Sequence, residues 1–221
     1  MNDRPIVLIT GAARSGTSMV AGVLHSSGLD LGGPLVRGTK YNPRGFFEHR
    51  AIRQKVIKPL LRELGYDQRG QRKLPPRGVM APPARIRRLA RAINVHLNGG
   101  RGYKDAKLLL LWPIVHRAFP GARWILVRRD PKAIVDSCLR TPFMKGRTYK
   151  AGWIEWVQEH EFRMADLKAS GANVVECWPD PSEPESFRAA IEQAGLEFDL
   201  AKINRALEPS AWHEPKKRAG Q

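Results

Sequence analysis

The sequence predicts an α/β fold in three layers, a central and mainly parallel sheet flanked by helices. Three observations carry that prediction. A short β-branched run, Pro5 to Thr10, stops at Gly11, and apolar residues at helical spacing follow from Gly16. A second strand-loop-helix unit runs from Arg123 to Ser137. Strand-like and helix-like segments then alternate as far as Leu207, with no internal repeat and no low-complexity tract.

The elements follow in order. Pro5 to Thr10 reads as the first, central strand, and Met19, Val20, Val23 and Leu24 mark a helix that ends at Gly28. A Gly- and Pro-rich loop, Leu31 to Phe47, leads to a helix patterned on Ile52, Val56, Leu60 and Leu64, ending at Gly65. From Gln68 to Lys104 there is no acidic residue but ten lysines and arginines. Pro75, Pro76, Pro82 and Pro83 make the first half of this stretch (about 67–101) an irregular surface excursion, while Ala84 to Leu97 reads as a basic amphipathic helix. Further helices are expected at Leu109 to Ala118, from Pro131, at Tyr149 to Ala169, at Pro184 to Ala194 and at Leu200 to Leu207. Strands are expected at Arg123 to Val127 and Asn173 to Glu176.

Composition narrows the function classes. The chain has 221 residues, 42% apolar and 27% charged, which fits one ordinary domain spanning 1–221 and rules out pervasive disorder. The longest apolar run, Leu108 to Trp112, is far short of a membrane span, and no export signal is legible near the first residues, so a cytoplasmic location is expected. Two cysteines, Cys138 and Cys177, are too few for a zinc cage and are expected as thiols; no metal site is expected. Lys plus Arg number 38 against 21 Asp plus Glu, a net charge of +17. That balance favours anionic partners without choosing among nucleic acid, acidic polymers and phosphorylated cofactors.

Two motifs carry chemistry. Gly11-Ala-Ala-Arg14-Ser15-Gly16-Thr17-Ser18 has the outline of a Walker A loop with Thr17 in place of the lysine. The physics of a phosphate cradle survives, because a glycine turn after a buried strand aims backbone N–H groups and a helix N-terminus at an anion. The fold is thus P-loop-like. In the second unit, Arg129 leaves a strand and Ser137 follows eight residues later on the next helix, within reach of the same anion if the strands are parallel. Taken alone, Asp130-Pro131 also reads as a capping Asp with proline at the first helical position.

Together these motifs resemble the sulfotransferases that use 3'-phosphoadenosine 5'-phosphosulfate (PAPS), and most closely their bacterial, carbohydrate and tyrosyl-protein branches. The resemblance implies that Arg14, Ser15, Gly16, Thr17 and Ser18 grip the 5'-phosphosulfate and that Arg129 and Ser137 hold the 3'-phosphate. Asn42-Pro-Arg-Gly-Phe-Phe-Glu48-His49 is similar to the Asn-Pro-x-Gly-aromatic-aromatic-Glu segment of bacterial members, whose carboxylate lies near the acceptor. It implies Glu48 as general base, with His49 in reserve. Tyr103-Lys104-Asp105-Ala106-Lys107 resembles the family's Lys-Asp-Pro-Arg with its last two positions changed, and it implies that Lys104 meets charge on the transferring group. Of the family's Tyr-Glu-Asp-Leu strand end only Glu176 is retained.

The implied activity is transfer of a sulfuryl group from PAPS to a hydroxyl or amine, releasing 3',5'-ADP, with Arg14, Lys104, Glu48 and His49 as catalytic candidates. Two rival readings stay open at this point, a nucleotide-dependent kinase and a basic nucleic-acid binder. The first lacks the Walker lysine, and the second lacks any helix-turn-helix, RRM or zinc signature. The helix bearing Arg85, Arg87, Arg88 and Arg91 is expected to flank the entrance for an anionic acceptor. The aromatic residues are expected to build core and acceptor pocket, and Lys216-Lys217-Arg218 reads as a frayed terminal charge run.

Overall fold

A computed structural model describes residues 5–39 and 42–208, so Lys216-Lys217-Arg218 lie outside the described residues. Its sheet has four strands, β1 (Val7–Thr10), β2 (Gly102–Lys104), β3 (Arg123–Val127) and β4 (Asn173–Cys177), in the order β2-β1-β3-β4. Every pairing is parallel, with Ile9 opposite Lys104 on one side and Ile125 on the other. The carboxyl ends of all four strands therefore share one edge.

Alternation along the strands divides the core. Val7, Ile9, Ile125 and Val127 face one layer, where they meet α1 (Thr17–Ser26), α7 (Arg188–Gln193) and α8 (Leu200–Leu207). Leu8, Trp124 and Leu126 face the other, packed against α2 (Lys58–Glu63), α3 (Pro83–Leu97), α4 (Trp112–Ala118) and the inner side of α6 (Lys150–Ala169). Apolar residues on both faces explain why these strands read as continuous hydrophobic runs. A third cluster joins α5 (Pro131–Arg140) to α6 through Ile134, Val135, Trp153, Trp156 and Val157. The expected three-layer α/β architecture is present.

Several elements differ in detail from the sequence reading. The helix expected through Ile52 to Leu64 opens as a π-helical stretch, Ile52–Ile57, in which the Lys58 N–H reaches back to the Arg53 carbonyl. The segment before α4 is a 3₁₀ turn, Ala106–Leu111, which Asp105 caps by accepting from the Lys107 N–H. Another 3₁₀ turn, Pro184–Phe187, precedes α7. The first half of the basic excursion forms no helix or strand over 67–82, yet it is tied to the rest of the protein. Asp67 accepts from the backbone N–H groups of Arg69, Gln71 and Arg72, the Trp156 indole donates to the Gly70 carbonyl at 2.8 Å, and the buried Arg163 donates to the Pro75 carbonyl. Polar side chains from a neighbouring helix thus replace the regular backbone bonds that prolines deny this segment. Both cysteines are buried thiols, and burial pushes each up to about 12.

Candidate active site

The loop between β1 and α1 lies on the carboxyl edge, and its geometry follows from close approach. A Cβ on Gly11 would stand 2.4 Å from the Val127 carbonyl oxygen, so only glycine lets the loop cross the end of β3. Gly16 adopts φ 98° and precedes α1 without a side-chain cap, which leaves the first N–H groups of that helix directed outward. Ser15 is buried, and its Oγ has no hydrogen-bond partner among the described residues. Arg14 sits at φ 76°, a left-handed conformation that a non-glycine residue adopts at a cost.

The two sequence motifs meet at Arg14. Its Nε donates to Ser137 Oγ at 3.0 Å, while Arg129 donates to the Arg14 carbonyl at 3.0 Å. Asp130 does cap α5, accepting from the Ala133 N–H at 2.7 Å, so the capping role coexists with the placement of Arg129. Arg128 faces elsewhere and pairs with Glu161 and Glu176. Burial lowers the Arg14 pKa, and the nearby Arg129 and Arg140 charges lower it further against an opposing effect of Cys138. Arg14, Arg129 and Ser137 thus form a cationic recess beside the glycine loop, suited to an anion.

A second group lies next to that recess. Lys104, only 3% exposed at the end of β2, donates to Ser18 Oγ at 3.2 Å, to the Phe46 carbonyl at 3.1 Å and to Glu48 Oε1 at 3.2 Å. It therefore ties the loop to the carboxylate. Arg53 Nε is 2.7 Å from Glu48 Oε2, but the two are not aligned as a hydrogen bond, and Oε2 accepts none. Phe47, at φ 53°, turns the chain between Phe46 and Glu48. A left-handed bulky residue is an outlier, and here it separates Phe47, which packs towards the α1 layer, from neighbours on either side that face a cavity.

That cavity has a volume of about 320 Å³ and is bounded by Arg14, Thr17 and Ser18 on one side and by Phe46, Glu48, Phe143 and Met144 on another. The Phe46 and Phe143 rings meet edge to face at 5.9 Å. Phe143 is placed by Gln71, whose side chain donates to the Phe143 carbonyl and accepts from the Lys145 and Gly146 N–H groups. A Cβ on Gly146 would lie 2.2 Å from Gln71 Cβ, so this turn closes only with glycine.

Of the sequence candidates, Arg14, Thr17, Ser18, Glu48 and Lys104 line the cavity, and Arg129, Ser137, Ser15 and Gly16 adjoin it through the loop. His49 does not. It is 2% exposed, its Nδ1 accepts from the Ile52 N–H, and its ring faces Gly32 and His96 on the far side of the segment. Burial lowers its pKa. Lys107 lines the cavity and pairs with the fully buried Asp105 at 2.6 Å; burial pushes that acid up, but Lys107 more than offsets it. Arg85, Arg87, Arg88 and Arg91 do not line the cavity; Arg85 and Arg88 turn to Glu63 on α2 instead. Phenylalanines, but no tryptophan, enter the cavity wall.

Sequence reasoning missed Arg53, Lys58, Arg69 and Gln71, all of which border the cavity. Arg53 and Lys58 are five residues apart, about 140° around an α-helix, so helical periodicity separates them. The π-helical stretch brings them onto one side.

The fold and this edge define an α/β protein with a cationic glycine loop beside a buried carboxylate. The chain belongs to the sulfotransferase family, whose model matches residues 5–177. No curated protein matches the chain. Among solved structures it is similar to the sulfotransferase STF1 from Mycobacterium tuberculosis H37Rv, at 14% identity and a TM-score of 0.46, covering 95% of this chain and 72% of that one.

Proposed function

We propose that the protein transfers a sulfuryl group from PAPS to a hydroxyl acceptor, with Glu48 as general base. The observation that carries this reading is the junction of the two motifs, in which Arg14 bonds Ser137 and Arg129 bonds the Arg14 carbonyl. A donor with a 5'-phosphosulfate and a 3'-phosphate would be held at both. The cradle fits such a group. Gly11 admits the close loop crossing, the α1 N-terminus is open, and Ser15 Oγ has no competing partner among the described residues.

PAPS supplies the sulfuryl group and its 3',5'-ADP leaving group. The chain's own residues do the rest. Arg14 and the α1 N–H groups hold the 5' anion, and Arg129 and Ser137 discriminate the 3'-phosphate. Lys104, already bonded to Ser18, lies between loop and carboxylate, where its charge opposes negative charge developing during an in-line displacement. Glu48, which lines the cavity between Lys104 and Arg53, takes the proton of the acceptor hydroxyl. Glu48 is preferred to His49 because only the former lines the cavity.

Incubation with labelled PAPS and a panel of hydroxyl compounds tests the proposal. Labelled sulfate ester with matching 3',5'-ADP is the expected product, and transfer from ATP under the same conditions would overturn it in favour of a kinase.

A further inference from the structure

Resting on that reading, we propose that the acceptor is itself an anion, a hydroxyl compound carrying a carboxylate, sulfate or phosphate, and that Lys58 and Arg69 bind this second group. The juxtaposition of cations in the cavity carries the proposal.

Six cationic side chains line the cavity, Arg14, Arg53, Lys58, Arg69, Lys104 and Lys107, and Glu48 is the one carboxylate among the lining residues. Three of them have a carboxylate partner and a fourth belongs to the donor loop. Arg14 belongs to the loop that takes the donor, Lys104 and Arg53 flank Glu48, and Lys107 is spent on Asp105. Lys58 and Arg69 have no carboxylate within ion-pairing distance among the described residues. Lys58 donates to the neutral side chain of Gln54, at 3.1 Å. Asp67, the acid nearest to Arg69 in sequence, directs both oxygens to backbone N–H groups.

Two further features make this more than a basic surface. The π-helical stretch, which departs from the regular helix at a cost in packing, places Lys58 beside Arg53 and towards the cavity. Lys58 also has a lowered pKa, through burial first and then the charges of Arg53, Lys107 and Arg69, with Asp105 opposing. Lys58 and Arg69, each without an ion pair among the described residues and crowded by Arg53 and Lys107, are stabilised by an incoming anion. Sulfuryl transfer from PAPS does not supply one here, because its charges are met at Arg14, Arg129 and Lys104. The cavity, at about 320 Å³, has room for one ring bearing such a group.

The test uses matched probes on the intact protein saturated with 3',5'-ADP, so that binding is read without turnover. Calorimetry compares 4-hydroxybenzoate with 4-hydroxybenzamide, and methyl glucuronide with methyl glucoside. The carboxylate member of a pair is expected to bind at least about tenfold tighter, and Lys58→Gln with Arg69→Gln to abolish the difference while 3',5'-ADP affinity stays unchanged. Equal or tighter binding of the neutral members, a preference that survives both substitutions, or no binding of either carboxylate at millimolar concentration would overturn the proposal. Failure of 3',5'-ADP itself to bind would instead overturn the sulfotransfer reading on which it rests.

Discussion

At the scale of single residues, the proposed chemistry rests on Glu48. It is buried between Lys104 and Arg53, within ion-pairing distance of both, and lines the cavity. Glu48→Gln is therefore expected to lower kcat by about 10²-fold or more while leaving 3',5'-ADP affinity within about twofold, because a general base contributes on that order. His49→Ala, on the far side of the segment, should leave kcat largely intact; steady-state rates on the two variants check the contrast. Glu48, Arg14 and Ser18 were legible in the sequence because glycines and an aromatic pair marked their segments. Arg53 and Lys58 were not, since their convergence depends on a local change of helical winding that the pattern Ile52, Val56, Leu60 and Leu64 does not register. The left-handed conformations of Arg14 and Phe47 were equally invisible, as both are residue types that disfavour them.

Elements behave differently from residues, because strand and helix positions follow periodicity while the path of irregular chain does not. β3 has the expected bounds, α1 and α5 begin where glycine and proline place them, and α3 forms as a basic amphipathic helix. The place of α3 was misread. Its apolar residues Leu89, Ile93 and Leu97 bind it to the core, and Arg85 and Arg88 pair with Glu63, so Arg87→Glu with Arg88→Glu should leave the salt dependence of kcat/KM unchanged. Gln68, Arg69 and Gln71 of the neighbouring excursion border the cavity instead. Gln71→Ala removes four hydrogen bonds that hold residues 143–146, and KM for the acceptor should rise several-fold with kcat less affected. On α6, burial lowers His160 to about 3, with an opposing effect from the Trp156 carbonyl bonded to its ring. The folded protein thus refuses a proton that the unfolded chain binds below about 6.5. Stability should fall as pH drops from about 6.5 towards 3, at a limiting slope of about 1.4 kcal/mol per pH unit, and His160→Gln should flatten that slope in urea titrations across the window.

For the whole molecule, the parallel sheet decides what the separate motifs can do together. Residues 11–18, 104 and 129–137 are far apart in the chain, yet parallel β1, β2 and β3 deliver all three to one edge. That convergence was the part of the site most readable in advance. The net charge of +17 was the least informative feature, because its magnitude reports attraction to anions but not where the unpaired cations gather. The central claim is that the β1 loop and the start of α5 form a single site for a nucleotide phosphorylated at both ends. Calorimetric titration with 3',5'-ADP and with 5'-AMP tests it most directly, on the parent protein and on Arg129→Ala. The account predicts that 3',5'-ADP binds roughly ten- to a hundredfold tighter than 5'-AMP, the size of one charge-assisted contact, and that Arg129→Ala erases most of that advantage. Equal affinity for the two nucleotides in the parent protein would contradict it.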